Sequence, residues 1–184
     1  MSTVANKMVQ AAAGNSGDIL DTLLMGTYFG GKDIIVLDVS DISNISDIGS
    51  LDNISSAMFR PPSAIDLTNN LLFLPHTSGS PYNTDTYDIS NLSSISRTDV
   101  FYSGRPSENG AIADPNREIL YSTGKASYSQ IDKLDYSTPS ALSRLTYASS
   151  DNNLILYYPE LSSDGDTLFT IGSYGNYSGL IKSW

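Results

Sequence analysis

The sequence predicts an all-β fold assembled from short antiparallel strands in repeated sheets, and three observations carry that expectation. A turn-and-strand pattern returns with a period of about 48 residues, at Asp18, Asp66, Asp114 and Ser162. A second template, "LDVSDISNISDIG" (37–49), returns as "YDISNLSSISRTD" (87–99) and, eroded, as "LDYSTPSALSRLT" (134–146). Between these markers no stretch carries apolar residues at helical spacing.

Each unit opens on a turn. The stretches "DILDTLLMG", "DLTNNLLFL", "DPNREILYS" and "SSDGDTLFT" place Asp or Ser before a polar turn. Leu then precedes a large apolar residue: Leu24-Met25, Leu72-Phe73, Leu120-Tyr121 and Leu168-Phe169. Asp, Asn and Ser side chains accept hydrogen bonds from their own nearby backbone, and Gly165 tolerates positive φ. The alternating, aromatic-rich residues after the turn read as a strand. The next strand runs into the second template, in "DIIVLDVS", "TDTYDIS" and "QIDKLDYS". Asp38, Asp88 and Asp135 occupy its matching position, and their spacing departs slightly from the period, so small insertions fall in the preceding loop. A Ser-rich bend leads to a third strand, in "SDIGSL", "SRTDVFY" and "SRLTYAS". A strand of weaker pattern, in "SAIDL", "GAIAD" and "LILYYPEL", enters the next turn.

Four short strands in each period, joined by tight turns, are the signature of a β-propeller blade. The recurring acids are then punctuation. Asp38, Asp88, Asp135, Asp66, Asp114 and Ser162 are expected to be structural turn residues, their oxygens capping backbone N–H groups beside the strands. The form D-[VI]-S-x-[IL]-S-x-[IL]-S at 38–46 and 88–96 resembles the LVIVP-type propeller repeat, in which a strand ends in Asp-Val-Ser before an Asn/Pro/Ser bend. This chain has Ser where Pro is usual there. "SSDGDTLFTIGS" (162–173) similarly resembles the turn-and-strand of YVTN-type and tryptophan–aspartate-repeat propellers. The likeness covers 18–184 and implies architecture alone, because propellers host many unrelated functions.

Residues 1–17 are expected to form an N-terminal arm and assembly anchor, and 18–184 a β-propeller-like repeat domain of about three and a half blades, three of them complete. The fourth unit starts at Ser162 and is only half-way through its period at Trp184. Its "LIKSW" aligns with "KLDYS" of the third unit, so its outermost strand is not reached. An unpaired edge of that kind is expected to be covered by the N-terminal segment, another subunit or a continuation of the chain.

Composition narrows the partners. A net charge of −10 opposes nucleic-acid binding, which needs a basic surface, and binding to anionic membranes. The chain has no cysteine, which excludes disulfides and thiolate metal sites. No apolar run is long enough to insert in a membrane. "MSTVANKMVQAAAGNSG" lacks the sustained apolar region of a secretory signal.

"NKMVQAAAGNSGD" resembles the opening of virion structural proteins of marine tailed phages. That resemblance implies a non-enzymatic virion component, tail- or head-associated, assembled in the host cytoplasm and working outside it. Its partners would be other virion proteins or copies of itself, with a host-surface glycan or protein as a further contact. The alternative is a bacterial surface or periplasmic propeller acting as a scaffold for protein–protein interaction. A third class, a glycan-active propeller enzyme, needs converging acids or arginines that the sequence does not single out.

No catalytic, cofactor-binding or metal site is assigned. "GTYFGGKD" (26–33) approaches a phosphate-binding loop, but Asp33 replaces the Ser or Thr that would meet Mg²⁺ and a strand follows instead of a helix, so it reads as a hairpin loop. His76 is the lone histidine, with no cysteine to join it in a metal cluster and no nucleophile elbow elsewhere. The acids of "DGD" (164–166), "DVSD" (38–41) and "SSDNN" (149–153) lack the spacing of a Ca²⁺ loop. Tyr82, Tyr87, Tyr128, Tyr174 and Tyr177 lie in or beside Gly/Ser/Asn-rich segments and are the candidate surface-recognition residues, with cross-strand packing as the plainer alternative.

Overall fold

The structure is a computed structural model that describes residues 22–26, 32–38, 41, 43–52, 63–75, 83–102, 108–125, 129–149, 154–174 and 177–183. These residues form fourteen strands in four antiparallel sheets, with no helix among them. Sheet I holds β1 (Thr22–Gly26), β2 (Lys32–Asp38) and β3 (Ser46–Asp52). Sheet II holds β4 (Ala64–Asp66), β5 (Leu71–Pro75), β6 (Asn83–Asp88) and β7 (Ser96–Tyr102). Sheet III holds β8 (Glu108–Asp114), β9 (Ile119–Lys125), β10 (Ser129–Asp135) and β11 (Ser143–Ser149). Sheet IV holds β12 (Leu154–Leu161), β13 (Leu168–Tyr174) and β14 (Tyr177–Ser183).

Every sheet is a meander in chain order, as the turn pattern predicts. Residues 1–21, which precede β1 in sheet I, lie outside the described residues. Among the described residues sheets II and III have four strands, whereas sheets I and IV have three. The turn expected at Asp18 and the arm 1–17 lie outside the described residues.

The sheets stack face to face in sequence order. Alternation along β5 sends Leu72 and Leu74 to one face and Leu71 and Phe73 to the other. Leu72 and Leu74 pack with Val36 of sheet I, Tyr87, Ile89 and Ile95. Leu71 and Phe73 pack with Ala111, Leu120, Leu134 and Tyr136 of sheet III. Ile131 of sheet III meets Leu156 and Leu168 of sheet IV in a third cluster. Burial on both faces explains why "LLFLP" is a continuous apolar run rather than an alternating one.

Close approach between sheets is achieved differently at successive interfaces. A Cβ on Gly49 of β3 would run into the Leu92 carbonyl oxygen, so only glycine lets the bend of sheet II reach sheet I. At the next interface Asp99 of β7 accepts a hydrogen bond from the Leu142 N–H at 2.6 Å. In β12 a register shift between Tyr157 and Glu160 accommodates Pro159, with Tyr158 at φ 48°. A bulge is where a strand tolerates a residue that cannot donate to its ladder.

Candidate functional site

The meander sorts the connections onto two ends of the stack. The β4–β5, β8–β9 and β12–β13 turns share one end with the bends after β2, β6 and β10. The Asp/Ser residues of both templates therefore gather at that end.

Their oxygens hold backbone there. Asp88 Oδ1 accepts from the Ser90 N–H at 2.8 Å and Asp135 Oδ1 from the Ser137 N–H at 2.8 Å. In sheet I Asp41 accepts from the Ser43 N–H at 2.9 Å; Asp38 ends β2, and residues 39 and 40 after it lie outside the described residues. Hydrogen bonds from the Ser43 and Ser90 hydroxyls, then from their amides, hold the Asp41 and Asp88 carboxyls below the ordinary range. At Asp135 the Ser137 amide leads and its hydroxyl follows. In the turns, Asp66 Oδ1 accepts from Thr68 N–H at 2.9 Å and Asp114 Oδ1 from Asn116 N–H at 3.2 Å. Ser162 Oγ accepts from Thr167 N–H at 2.9 Å and donates to Asp164 Oδ1 at 2.5 Å. Asn70 and Glu118, one period apart, both take the left-handed conformation, and their carbonyls accept from Ile89 and Tyr136 N–H.

Two of these turns also join neighbouring sheets. The Tyr136 hydroxyl, which follows β10, donates to Asp66 Oδ2 at 2.8 Å, and burial followed by that contact pushes its pKa up. Arg117 spans from its own turn to that of sheet IV. Its Nη1 reaches Asp114 Oδ2 at 3.3 Å and Gly165 O at 2.6 Å, and its Nη2 reaches Asp166 Oδ1 at 2.6 Å and Asp164 O at 3.2 Å. The "DGD" oxygens weighed above as cation ligands thus surround a guanidinium. Among the described residues no group of three or more His, Asp or Glu is placed to hold a metal ion.

The interior changes character away from the turns. Toward the opposite end polar residues join the apolar ones in the interior: Thr84, Asp85 and Thr86 on β6, Ser122 and Thr123 on β9, Gln130 and Asp132 on β10, and Asn109 on β8. The two carboxylates of this layer are met from the outer strands of sheets II and III. Arg97 Nη1 lies 3.4 Å from Asp85 Oδ2, and Arg144 Nε lies 2.8 Å from Asp132 Oδ1. A buried carboxylate without such a partner is strongly disfavoured. Ser63 Oγ, Thr86 Oγ1 and Asn109 Nδ2 are buried there without a hydrogen-bond partner among the described residues.

The tyrosine candidates fare unequally. Tyr87 is a correction: it is buried in the first apolar cluster and donates to Asp85 Oδ2 at 3.0 Å, so it packs between sheets rather than facing solvent. Tyr82, Tyr128 and His76 lie outside the described residues. Tyr174 and Tyr177 are register partners closing the β13–β14 hairpin. Gly26 and Ile34 likewise pair across β1 and β2, flanking the segment that approached a phosphate loop.

Sequence reasoning placed strand β11 in "SRLTYAS" but missed its exposure. All of its residues are solvent-exposed, including Leu145, which sits at a register shift against β10, and Tyr147. The missed buried pairs did leave a signal, since Asp85 and Asp132 recur at the same offset as Arg97 and Arg144.

Comparison with known proteins bears on architecture. No protein-family model and no curated protein matches the chain. Solved structures do match. A protein from Lactobacillus plantarum superposes with TM-score 0.66 at 15% identity, over 89% of this chain and 53% of that one. A periplasmic gluconolactonase from Pseudomonas aeruginosa gives TM-score 0.65 at 11% identity, over 82% and 47%. TolB from Acinetobacter baumannii gives 0.56 at 14% identity, over 89% and 40%. The chain thus spans about half the length of the structures it matches, and at these identities the likeness concerns fold. Successive antiparallel meanders stacked face to face, with these neighbours, make the chain β-propeller-like.

Proposed function

We propose that this chain is a non-enzymatic β-propeller scaffold for protein–protein interaction, of the bacterial surface or periplasm. Strand β11 carries the reading. It is the last strand of sheet III, exposed along its whole length, and both Leu145 and Tyr147 on it are open to solvent. An exposed edge with apolar side chains is a place where another chain adds or packs. The acids at the turn end support the same reading, since their hydrogen bonds go to turns and to neighbouring sheets. Within propellers, the templates at 38–46 and 88–96 align the repeat with the LVIVP type.

Replacing Tyr147 by a photo-crosslinking phenylalanine analogue in the producing cell tests this, with exposed Ser140 in the opposite bend as the control position. The expected result is a discrete adduct with another protein from position 147 and none from 140. Absence of an adduct at 147, or turnover of a lactone or glycan by the purified protein, would reject the scaffold reading.

A second reading, a phage virion component contacting other virion proteins and a host surface, rests on the composition of "NKMVQAAAGNSGD". On that reading, deleting 1–17 abolishes incorporation into particles while the β-sheet circular dichroism persists. Normal incorporation of the truncated chain would discard it.

A further inference from the structure

The two end faces of the stack are complementary in what they leave open. Phe73, Tyr121 and Phe169 stand one period apart, and in each case Leu precedes them in the strand that follows the turn. Phe73 is fully buried beneath sheet III, its ring 4.9 Å from that of Tyr136. Tyr121 is half-buried and packs into the cluster between sheets III and IV. Phe169 is 41% exposed, and Ile171, two residues on and on the same face, is exposed too. The face that sheets II and III bury is therefore open on sheet IV.

The opposite side of the repeat shows the reciprocal pattern. Ile45, Ile95 and Leu142 each immediately precede the Ser that opens β3, β7 or β11. Ile95 is 7% exposed in the cluster shared with sheet I, and Leu142 packs against the cluster shared with sheet II. Ile45 is 52% exposed. At Ile45, sheet I thus leaves open the position that sheets II and III use to meet their predecessors.

We infer that sheet IV of one copy docks on sheet I of a second copy, head to tail, repeating the internal sheet-to-sheet contact. An interface of that kind between two different faces closes into a ring when the rotation per copy allows it. Two copies of four sheets give a ring of eight, within the four to eight typical of propellers. The solved structures point to the same size, since one copy matches 53% of the Lactobacillus plantarum protein and 47% of the gluconolactonase. Burial of Phe169, Ile171 and Ile45 supplies the driving force. This inference stands apart from the proposed role of β11, which the ring leaves uncovered.

The test is the mass of the purified chain by sedimentation equilibrium, alone and as variants. The wild-type chain is expected at twice the 19.8 kDa of one copy. Phe169→Asp and Ile45→Asp should each give single copies with unchanged far-ultraviolet circular dichroism, because both side chains are exposed within one chain. Mixing the two variants restores one intact contact, between Phe169 of one chain and Ile45 of the other, and should yield a two-chain species that neither forms alone. Tyr147→Ser should leave the wild-type mass unchanged, which separates this contact from binding through β11. A wild-type chain that stays single at all concentrations would overturn the inference. So would a dimer broken by Phe169→Asp but untouched by Ile45→Asp, which would pair like faces, or a mass that grows past two copies.

Discussion

At Asp66 one carboxylate serves two structures. Oδ1 takes the amides of Thr68 and Asn69 in its own turn, while Oδ2 takes the Asn69 side chain and the hydroxyl of Tyr136 from the next sheet. Removing the acceptor frees the turn amides and leaves the buried hydroxyl only its longer contact, to Asp114 O at 3.4 Å. Asp66→Ala should therefore cost about 3 kcal/mol, whereas Tyr136→Phe, which keeps the turn, should cost about 1 kcal/mol. Urea unfolding of the two variants and the double mutant measures both and their coupling. Glu118 makes the opposite case. It holds the left-handed conformation at φ 54° where the equivalent position of the preceding unit is Asn70. Asn adopts that conformation more readily, so Glu118→Asn should raise stability by about 0.5 kcal/mol in the same assay.

The Ser-rich bends and the strand contacts are where whole elements are set. Asp41, Asp88, Asp135 and Asp164 are all held below the ordinary carboxyl value of 3.8 by hydrogen bonds from Ser side chains or backbone amides. Because the folded state binds these protons less tightly than the unfolded chain, their contribution is fully present above that value. It is lost as pH falls through the depressed folded values. The urea midpoint should thus drop as pH is lowered below 3.8, and Ser90→Ala should flatten part of that drop. An unchanged pH profile in Ser90→Ala would show that the hydroxyl does not set the acidity. In β3, Gly49→Ala forces a Cβ against the Leu92 carbonyl. Sheets I and II must then part, and the variant should lose about 2 kcal/mol, read from thermal unfolding.

Across the whole molecule, equivalent positions are predicted to behave unequally. Phe73→Ala opens a cavity between sheets II and III and should cost about 4 kcal/mol. Phe169→Ala removes the equivalent ring from an open face, so its effect should fall on association rather than on folding of a single chain. If two copies close the ring, the wild-type melting temperature rises with protein concentration and that of Phe169→Ala does not. Calorimetry over a range of concentrations separates the two.

What could be read in advance was local chemistry. The Asp/Ser turns, the alternating strands after them and their regular recurrence depend on neighbours a few positions away, so strands such as "SRTDVFY" and "LLFLP" were legible and both templates marked real turns and bends. Side-chain destinations were not. Tyr136 stands where the preceding unit has Ile89, and that single hydroxyl at an apolar repeat position was the one trace of its bond to Asp66. Tyr87 read as loop-facing and lies buried, because which sheet covers a strand is set by chain segments far away in sequence. That the chain folds as repeated antiparallel sheets follows from its residues alone, since turn geometry and strand alternation are short-range. Which equivalent residues are covered emerges only from the packing of distant segments, because burial at Phe73 and exposure at Phe169 depend on whether another sheet lies across them.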